Sequence, residues 1–159
     1  MALEGYEIRR GRRDDAPAAA GLWMESAREH AGYDAVYETS ADAEKTMRQF
    51  LADLASSRHS FLFVATKDEV VVAFISGELR EGSPTFRSRT WASIDDVFVA
   101  PDHRDNGIGH ALIENVTAWA RERGAQGVSL QVAAGNDRAR KFYGELGFRE
   151  VSVYEVLEL

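Results

Sequence analysis

The stretch VFVAPDHRDNGIGHALI, Val97 to Ile113, constrains this chain more than any other. An apolar run turns at Pro101 and passes through Arg104-Asp105-Asn106-Gly107-Ile108-Gly109 into apolar residues at helical spacing. That pattern reads as a strand-to-helix connection, which needs only a few residues and one good helix-start residue. Two glycines and an arginine exceed that need. The first N–H groups of a helix have no intrahelical partners, and with the positive end of the helix dipole they form a seat for an anion such as phosphate. Gly107 and Gly109 let backbone approach a ligand closely, and Arg104 adds a charge. The pattern is not a Walker loop, since no Lys-Ser/Thr follows, nor the Gly-x-Gly-x-x-Gly of dinucleotide folds. By itself it reads equally well as a glycine-rich turn with no ligand.

The rest of the chain alternates strand and helix signals. Tyr6–Gly11 reads as a short first strand, and Asp14 or Asp15 with Pro17 opens a helix carrying Leu22, Trp23 and Ala27. Thr39 or Ser40 is expected to cap a second helix with Ala43, Met47, Phe50, Leu51 and Leu54 on one face. Ser60–Thr66 and Val70–Leu79 are β-branched and aromatic runs joined by Lys67-Asp68-Glu69, a hairpin. After a polar turn with Pro84 come a strand at Thr90–Val99 and the helix with Ile108, Leu112, Val116 and Trp119. A strand at Gly127–Val132, a helix at Asn136–Leu146 and one or two closing strands in Phe148–Leu159 complete the series. Antiparallel strands first and a strand–helix–strand crossover later predict an α/β (α+β) domain. Its sheet should be mixed and mostly antiparallel, with about six or seven strands and helices on both faces. Ligands in such sheets bind beyond the carboxyl ends of parallel strands, where the Val97–Ile113 turn falls.

At 159 residues the length predicts one domain over 1–159, large enough to build its core without staples. The chain has no cysteine, which removes thiolate nucleophiles and thiolate-ligated metal sites. A net charge of −7 argues against nucleic acid as a partner and is compatible with a cationic small substrate. No segment has the length or apolarity of a signal core or a bilayer span, so neither a membrane partner nor a compartment other than the cytoplasm is expected.

A second constellation lies downstream, where NDRARKFYGELGF sets Asn136 and Tyr143 seven positions apart and ends in Gly147-Phe148. Taken singly, Asn136 reads as a helix cap and Tyr143 as core. Together the two segments resemble the GNAT superfamily of acyl-CoA-dependent N-acetyltransferases over roughly residues 93–151. Arg104-x-x-Gly107-x-Gly109 matches its pyrophosphate loop, Val99-Ala100-Pro101 its strand end, and Asn136, Tyr143, Gly147 and Phe148 its Asn-x(6)-Tyr-x(3)-Gly-Phe segment. The resemblance implies acetyl-CoA as cosubstrate, with no metal, held where the strands of Val97–Val99 and Gly127–Val132 splay apart. Backbone groups of Val97, Phe98 and Val99 are then expected on the pantetheine arm. Arg104, Asp105, Asn106, Gly107, Ile108, Gly109, His110 and Asn136 are expected around the rest of the coenzyme, with Arg138, Arg140 or Lys141 near its phosphates.

Direct transfer requires a base, because a lysine-like amine has a reference pKa near 10.4, and an acid for the departing thiolate, near 8.5. The match to the family tyrosine makes Tyr143 the expected acid. Asp95 and Asp96 stand out on an apolar strand, and strict alternation sends them to opposite faces. The run Ile94-Asp95-Asp96-Val97-Phe98-Val99 resembles that of the spermidine/spermine and diamine branch, whose first carboxylate works through a water. That resemblance favours Asp95 as base, with Asp96 orienting the amine or pairing with an arginine. Gln131 stands where the ribosomal-protein N-terminal acetyltransferases carry a glutamate base, which makes protein N-termini a weaker expectation. The loop after the first helix offers His30, Tyr33, Asp34, Tyr37 and Glu38 to a small cationic amine, and Glu78 and Gln131 are further candidates for contact with it. His30 has no second histidine at ligand spacing and reads as a helix-end residue. Protein lysine is the nearest competing acceptor, a CoA-binding sensor without catalysis the alternative of another class, and the alternation in VSVYEVLEL permits a homodimer.

Overall fold

The structure is a computed structural model that describes residues 3–87 and 90–159; the first two residues, and two at the end of the polar turn after Pro84, lie outside the described residues. Strands β1 (Glu7–Arg10), β2 (Ser60–Lys67), β3 (Val70–Glu81), β4 (Thr90–Val99) and β5 (Gly127–Leu130) lie in that order across one sheet. β1 to β4 are antiparallel neighbours and β5 runs parallel to β4. The helices are α1 (Ala16–Ala31), α2 (Ala43–Ser56), α3 (Ile108–Glu122) and α4 (Asp137–Glu145).

Local chemistry sets the ends of these elements. α1 starts behind Asp15, whose carboxylate accepts two N–H groups of Arg9 at 2.7 and 2.8 Å and the backbone N–H of Arg12 at 2.7 Å. Pro17 follows in the first turn, where its missing N–H has no partner to lose. α2 starts behind Asp42, not Thr39 or Ser40: the Asp34 side chain caps a separate turn at Ala35–Tyr37, and the Ser40 carbonyl accepts the Ala43 N–H in a tighter turn. Asp68 and Glu69 both take positive φ, 49° and 66°, which is how a two-residue hairpin matches strand twist.

Alternation along β2, β3 and β4 divides the core. Leu62, Val64, Phe74 and Phe98 pack under α1 and α2 with Ala16, Ala20, Leu51 and Leu54. Phe61, Phe63, Ala73, Ile75 and Ile94 face α3 with Leu112, Val116 and Trp119. Burial of both sheet faces explains why β2 reads as a continuous apolar run.

One predicted feature is absent. Phe148 packs on Tyr143 with ring centroids 5.5 Å apart and Glu150 accepts Arg140 at 2.8 Å, but residues 151–159 pair with no strand of the described residues and are exposed. The sheet therefore has five strands among the described residues rather than six or seven. The period-2 pattern suits a strand, yet a strand exists only against another edge, and after α4 this segment does not run beside one.

Candidate active site

β4 is paired on both sides only over its first half. Its partners on β5 end at Ile94 with Leu130, and the register to β3 slips between Ser76 and Gly77, so that Ser76 faces Asp96 and Gly77 faces Ile94. Asp95 is the unpaired residue of a β-bulge. Gly77 permits the slip, because a Cβ there would fall 2.0 Å from the Ser93 carbonyl oxygen and 2.5 Å from the Phe61 ring. The bulge shifts the alternation: Ile94 and Val97 face α3, Asp96 and Phe98 face α1 and α2. Asp95 and Asp96 consequently do not diverge to opposite faces. Both line one cavity of about 110 Å³ with Ser26, His30, Leu130, Gln131, Val132, Asn136 and Tyr143.

The two carboxylates have different surroundings. Asp95 has an exposed main chain at the bulge and a side chain only 19% exposed, and its carboxylate accepts Arg80 at 2.8 Å. Burial raises its pKa against the pull of Arg80. Asp96 lies deeper, accepting the Trp23 indole N–H at 2.8 Å and the Ser76 hydroxyl at 3.4 Å. Burial raises its pKa too, opposed by those two hydrogen bonds and by the nearby His30. The arginine thus pairs with Asp95, not with Asp96, because the bulge turns Asp95 toward β3. Arg80 also donates to Glu78 at 3.1 Å and to the Ser93 hydroxyl at 3.2 Å, so Glu78 belongs to this ion pair outside the cavity lining.

Tyr143 projects from α4 into the same cavity, and burial pushes its pKa up to about 12. Asn136 caps α4 by accepting the Ala139 N–H at 3.1 Å and lines the cavity as well. Tyr33 stands edge-on to His30, ring centroids 5.6 Å apart, and lies against Gly135, joining the end of α1 to the turn before α4. Tyr37 meets the other side of His30 at 5.4 Å.

The strand-to-helix turn is laid out for backbone recognition. Gly107 takes φ +79°, and the first intrahelical bond is Ala111 N–H to the Gly107 carbonyl, which leaves the N–H groups of Ile108, Gly109 and His110 ahead of the ladder. On β4, the Ala100 N–H bonds the Val72 carbonyl of β3, so by alternation Val97 and Val99 turn their backbone groups to the open side and Phe98 turns its own toward β3. Phe98 is thereby removed from the expected open edge.

The side chains of the turn have other partners. Arg104 donates to the Val99 carbonyl at 2.9 Å and to Glu29 at 2.8 Å and stacks on Phe98, so its charge is neutralised within the fold. Asp105, at φ +63°, extends into solvent and meets Arg138 at 3.2 Å. Asn106 donates to the carbonyls of His103 and Arg104, and His110 pairs with Glu114 at 3.1 Å. Gly109 lies under Phe142: a Cβ there would sit 3.2 Å from that ring, so this glycine serves the contact of α3 with α4. Trp23, Ser26, Ser76 and Arg80 escaped the sequence reading as site residues. The one available signal was Trp23, whose indole N–H needs a partner wherever the ring is covered.

An open-edged bulged strand, unpaired N–H groups at the start of the following helix and a tyrosine in one cavity with two carboxylates make up the arrangement expected of the GNAT fold. Comparison with known proteins agrees: residues 23–148 match the acetyltransferase (GNAT) family, and the chain belongs to it. It is 31% identical over 151 residues to an uncharacterized N-acetyltransferase, MJ1207, of Methanocaldococcus jannaschii, covering 95% of this chain and 64% of that one. The chain thus spans under two thirds of that relative's length. In fold it is similar to a mutant of the BH1408 protein from Bacillus halodurans (TM-score 0.86, 24% identity, 96% of this chain and 99% of that one covered). It is likewise similar to the aminoglycoside N-acetyltransferase AAC(6')-Iy in complex with the bisubstrate analogue CoA-S-monomethyl-acetylneamine (TM-score 0.76, 20% identity, 97% of each chain). No helix of the described residues is long and apolar enough to cross a membrane.

Proposed function

We propose that this chain transfers the acetyl group of acetyl-CoA to the primary amine of a small cationic acceptor, directly and within one ternary complex. The observation that carries the reading is that Asp95, Asp96 and Tyr143, from β4 and α4, line a single small cavity where β4 and β5 part. The fold neighbour that takes a CoA–acetylneamine analogue supports a small polycationic acceptor.

The residues present fit the coenzyme. Val97 offers a free backbone edge for amide groups, the first N–H groups of α3 face phosphate, and Arg138 supplies a cation beside Asp105. When bound, acetyl-CoA supplies a thioester carbonyl and a sulfur that must leave protonated. Burial keeps Tyr143, which lines the cavity, neutral through the physiological range, so its hydroxyl remains a proton donor. Asp96 has both oxygens held by neutral donors and pairs with no lysine or arginine among the described residues, which leaves its charge to attract an ammonium group. His30 lines the cavity, and Tyr33 and Tyr37 pack on it from outside that lining; the faces of such rings attract a cation. Asp95, at the exposed bulge, is placed to take the ammonium proton through a water and return it to solvent. Its burial-raised pKa makes it a better base than an ordinary carboxylate.

The test is turnover of acetyl-CoA with a panel of monoamines, diamines, aminoglycosides and a lysine peptide, followed by pH–rate profiles of Asp95→Asn and Asp96→Asn. Asp95→Asn should lower kcat most where the wild-type carboxylate is ionised and the amine is still protonated, and should lose the acid limb that protonation of Asp95 gives. Asp96→Asn should raise KM for diamines more than for monoamines, since only the diamine keeps a second charge to be held. No turnover with any amine, despite coenzyme A binding, would overturn catalysis. Two mutants indistinguishable from wild type would make the carboxylates structural.

A further inference from the structure

The last turn of α1 brings His30 into the cavity with Asp96 and fixes which of its ring nitrogens carries the proton. Nδ1 lies 2.8 Å from the Ser26 carbonyl oxygen, one turn earlier on the same helix, and 3.4 Å from the Ser26 hydroxyl. A carbonyl oxygen only accepts, so Nδ1 bears the hydrogen and donates to it. In the neutral ring the lone pair is then on Nε2. That nitrogen stands across the ring from Ser26 and has no hydrogen-bond partner among the described residues. Tyr33 and Tyr37 pack against the ring at interplanar angles of 88° and 71°, which holds it in place.

Most charged groups around His30 are already engaged. Glu29, its neighbour on α1, is taken up by Arg104, and Asp95 of β4 by Arg80. Asp34, in the loop that follows, accepts the Val36 N–H, and Tyr143 of α4 is neutral. That leaves Asp96 of β4, which has neutral donors on both oxygens and lies within electrostatic reach of His30. A lone pair and a carboxylate without a lysine or arginine partner thus line the same small cavity. An ammonium group has only donors to offer, and it leaves water at least cost where more than one acceptor receives it.

We propose that neutral His30 accepts, through Nε2, a hydrogen bond from the ammonium group that Asp96 attracts, so that a proton on His30 and a cationic acceptor exclude one another. The inference rests on the transfer to a cationic amine proposed above and names a second residue that selects for it. Protonated, Nε2 becomes a donor: it can no longer receive the ammonium, it repels it, and it turns to Asp96 as its own counter-ion. Binding of the acceptor releases that proton to solvent. Affinity for the amine is therefore complete where His30 is neutral and is lost as pH falls and His30 becomes charged.

The experiment measures KM for the best-used amine of the panel above, and KM for acetyl-CoA, as functions of pH. In wild type, KM for the amine should rise about 10-fold as pH falls from about 8 to 5, while KM for acetyl-CoA stays level. Acidification only adds charge to an amine, so such a rise does not come from the acceptor itself. His30→Gln keeps an uncharged acceptor near the position of Nε2 and should hold KM low and level over the range. His30→Phe keeps a ring against Tyr33 and Tyr37 without a lone pair; its KM should be high at every pH, with kcat at saturating amine following the wild-type profile. A wild-type KM level with pH, a rise that survives in His30→Gln, or wild-type behaviour of His30→Phe would each overturn the role of His30. Should His30→Phe fail to fold, wild type and His30→Gln decide. Absence of turnover with every amine would instead remove the transfer on which the inference rests, a result distinct from the other three.

Discussion

The two sides of the cavity that the proposed reaction assigns to coenzyme and acceptor are built from different materials. Toward the coenzyme, the groups on offer are backbone: the open edge at Val97 and the first N–H groups of α3, made available by Gly107 in the left-handed region and by the end of pairing at Ile94. Toward the acceptor they are side chains from distant elements: Trp23, Ser26 and His30 of α1 meeting Asp96 of β4 and Ser76 of β3. Backbone recognition must be encoded by a local run that shapes the chain, whereas a side-chain cluster can be assembled from anywhere. One side of the site should therefore respond to charge and conformation within the loop, the other to single side-chain deletions across the fold.

The sharpest break of that comparison is expected at Tyr143, which belongs to neither wall and serves both. Tyr143→Phe keeps the ring against Phe142 and Phe148 but removes the hydroxyl, so kcat should fall by about 10²–10⁴-fold while coenzyme A binds as before. Steady-state rates with calorimetric coenzyme A affinity check it. The lower end is expected, because water also protonates a thiolate. A full-rate variant would return Tyr143 to packing.

Next in size is Trp23→Phe. The substitution keeps an apolar ring on α1 and deletes the hydrogen bond that orients Asp96, so KM for a cationic acceptor should rise about 10-fold with little change in KM for acetyl-CoA. Equal changes in both constants would mean that α1 had shifted as a body. Losing this hydrogen bond also removes one influence that lowers the Asp96 pKa, so the carboxylate should protonate at higher pH than in wild type.

These two residues illustrate what the sequence can show. Tyr143 is legible because its place in the motif is tied to Asn136, Gly147 and Phe148 within one helix and its ends. Trp23 is not, because at helical spacing an indole reads as core and nothing local announces a carboxylate 73 positions away. The same reasoning covers Asp95 and Asp96. Their presence on an apolar strand is visible, but their convergence depends on a bulge opposite Gly77 that strict alternation denies. Arg104 shows the reverse case: it occupies the motif position, yet its charge is taken up by Glu29 from a helix 75 positions earlier. The strands β1 to β5 follow from pattern, whereas the closing segment carries the pattern without the partner edge that would make it a strand.

On the coenzyme side the expected effects are smaller and salt-dependent. Arg138 is 60% exposed and touches only Asp105 of the loop, so Arg138→Glu should leave stability nearly unchanged and weaken coenzyme A binding roughly threefold at low ionic strength, less at high salt. Calorimetry at two salt concentrations measures it. An unchanged Kd would place the phosphates away from Arg138 and leave their recognition to the α3 backbone.

The smallest effect on rate and the most informative on pH is expected from Arg80→Met. Arg80 opposes burial at Asp95: its charge, at 2.8 Å, favours the ionised carboxylate and holds the pKa below where burial alone would put it. Removing that charge raises the Asp95 pKa further, so a larger fraction of Asp95 is protonated at any acidic pH, and a protonated base accepts no proton. The acid limb of the kcat profile should move to higher pH, while the plateau above it changes by about twofold or less, since the ionised carboxylate is restored there. Asp95→Asn in the same background has no such limb to move, so the double variant should show the Asp95→Asn profile. If Arg80→Met instead shifts the limb to lower pH, or shifts it equally with Asp95→Asn present, the titrating base is another group. The ion pair Glu78–Arg80–Asp95 would then serve the bulge and not the proton.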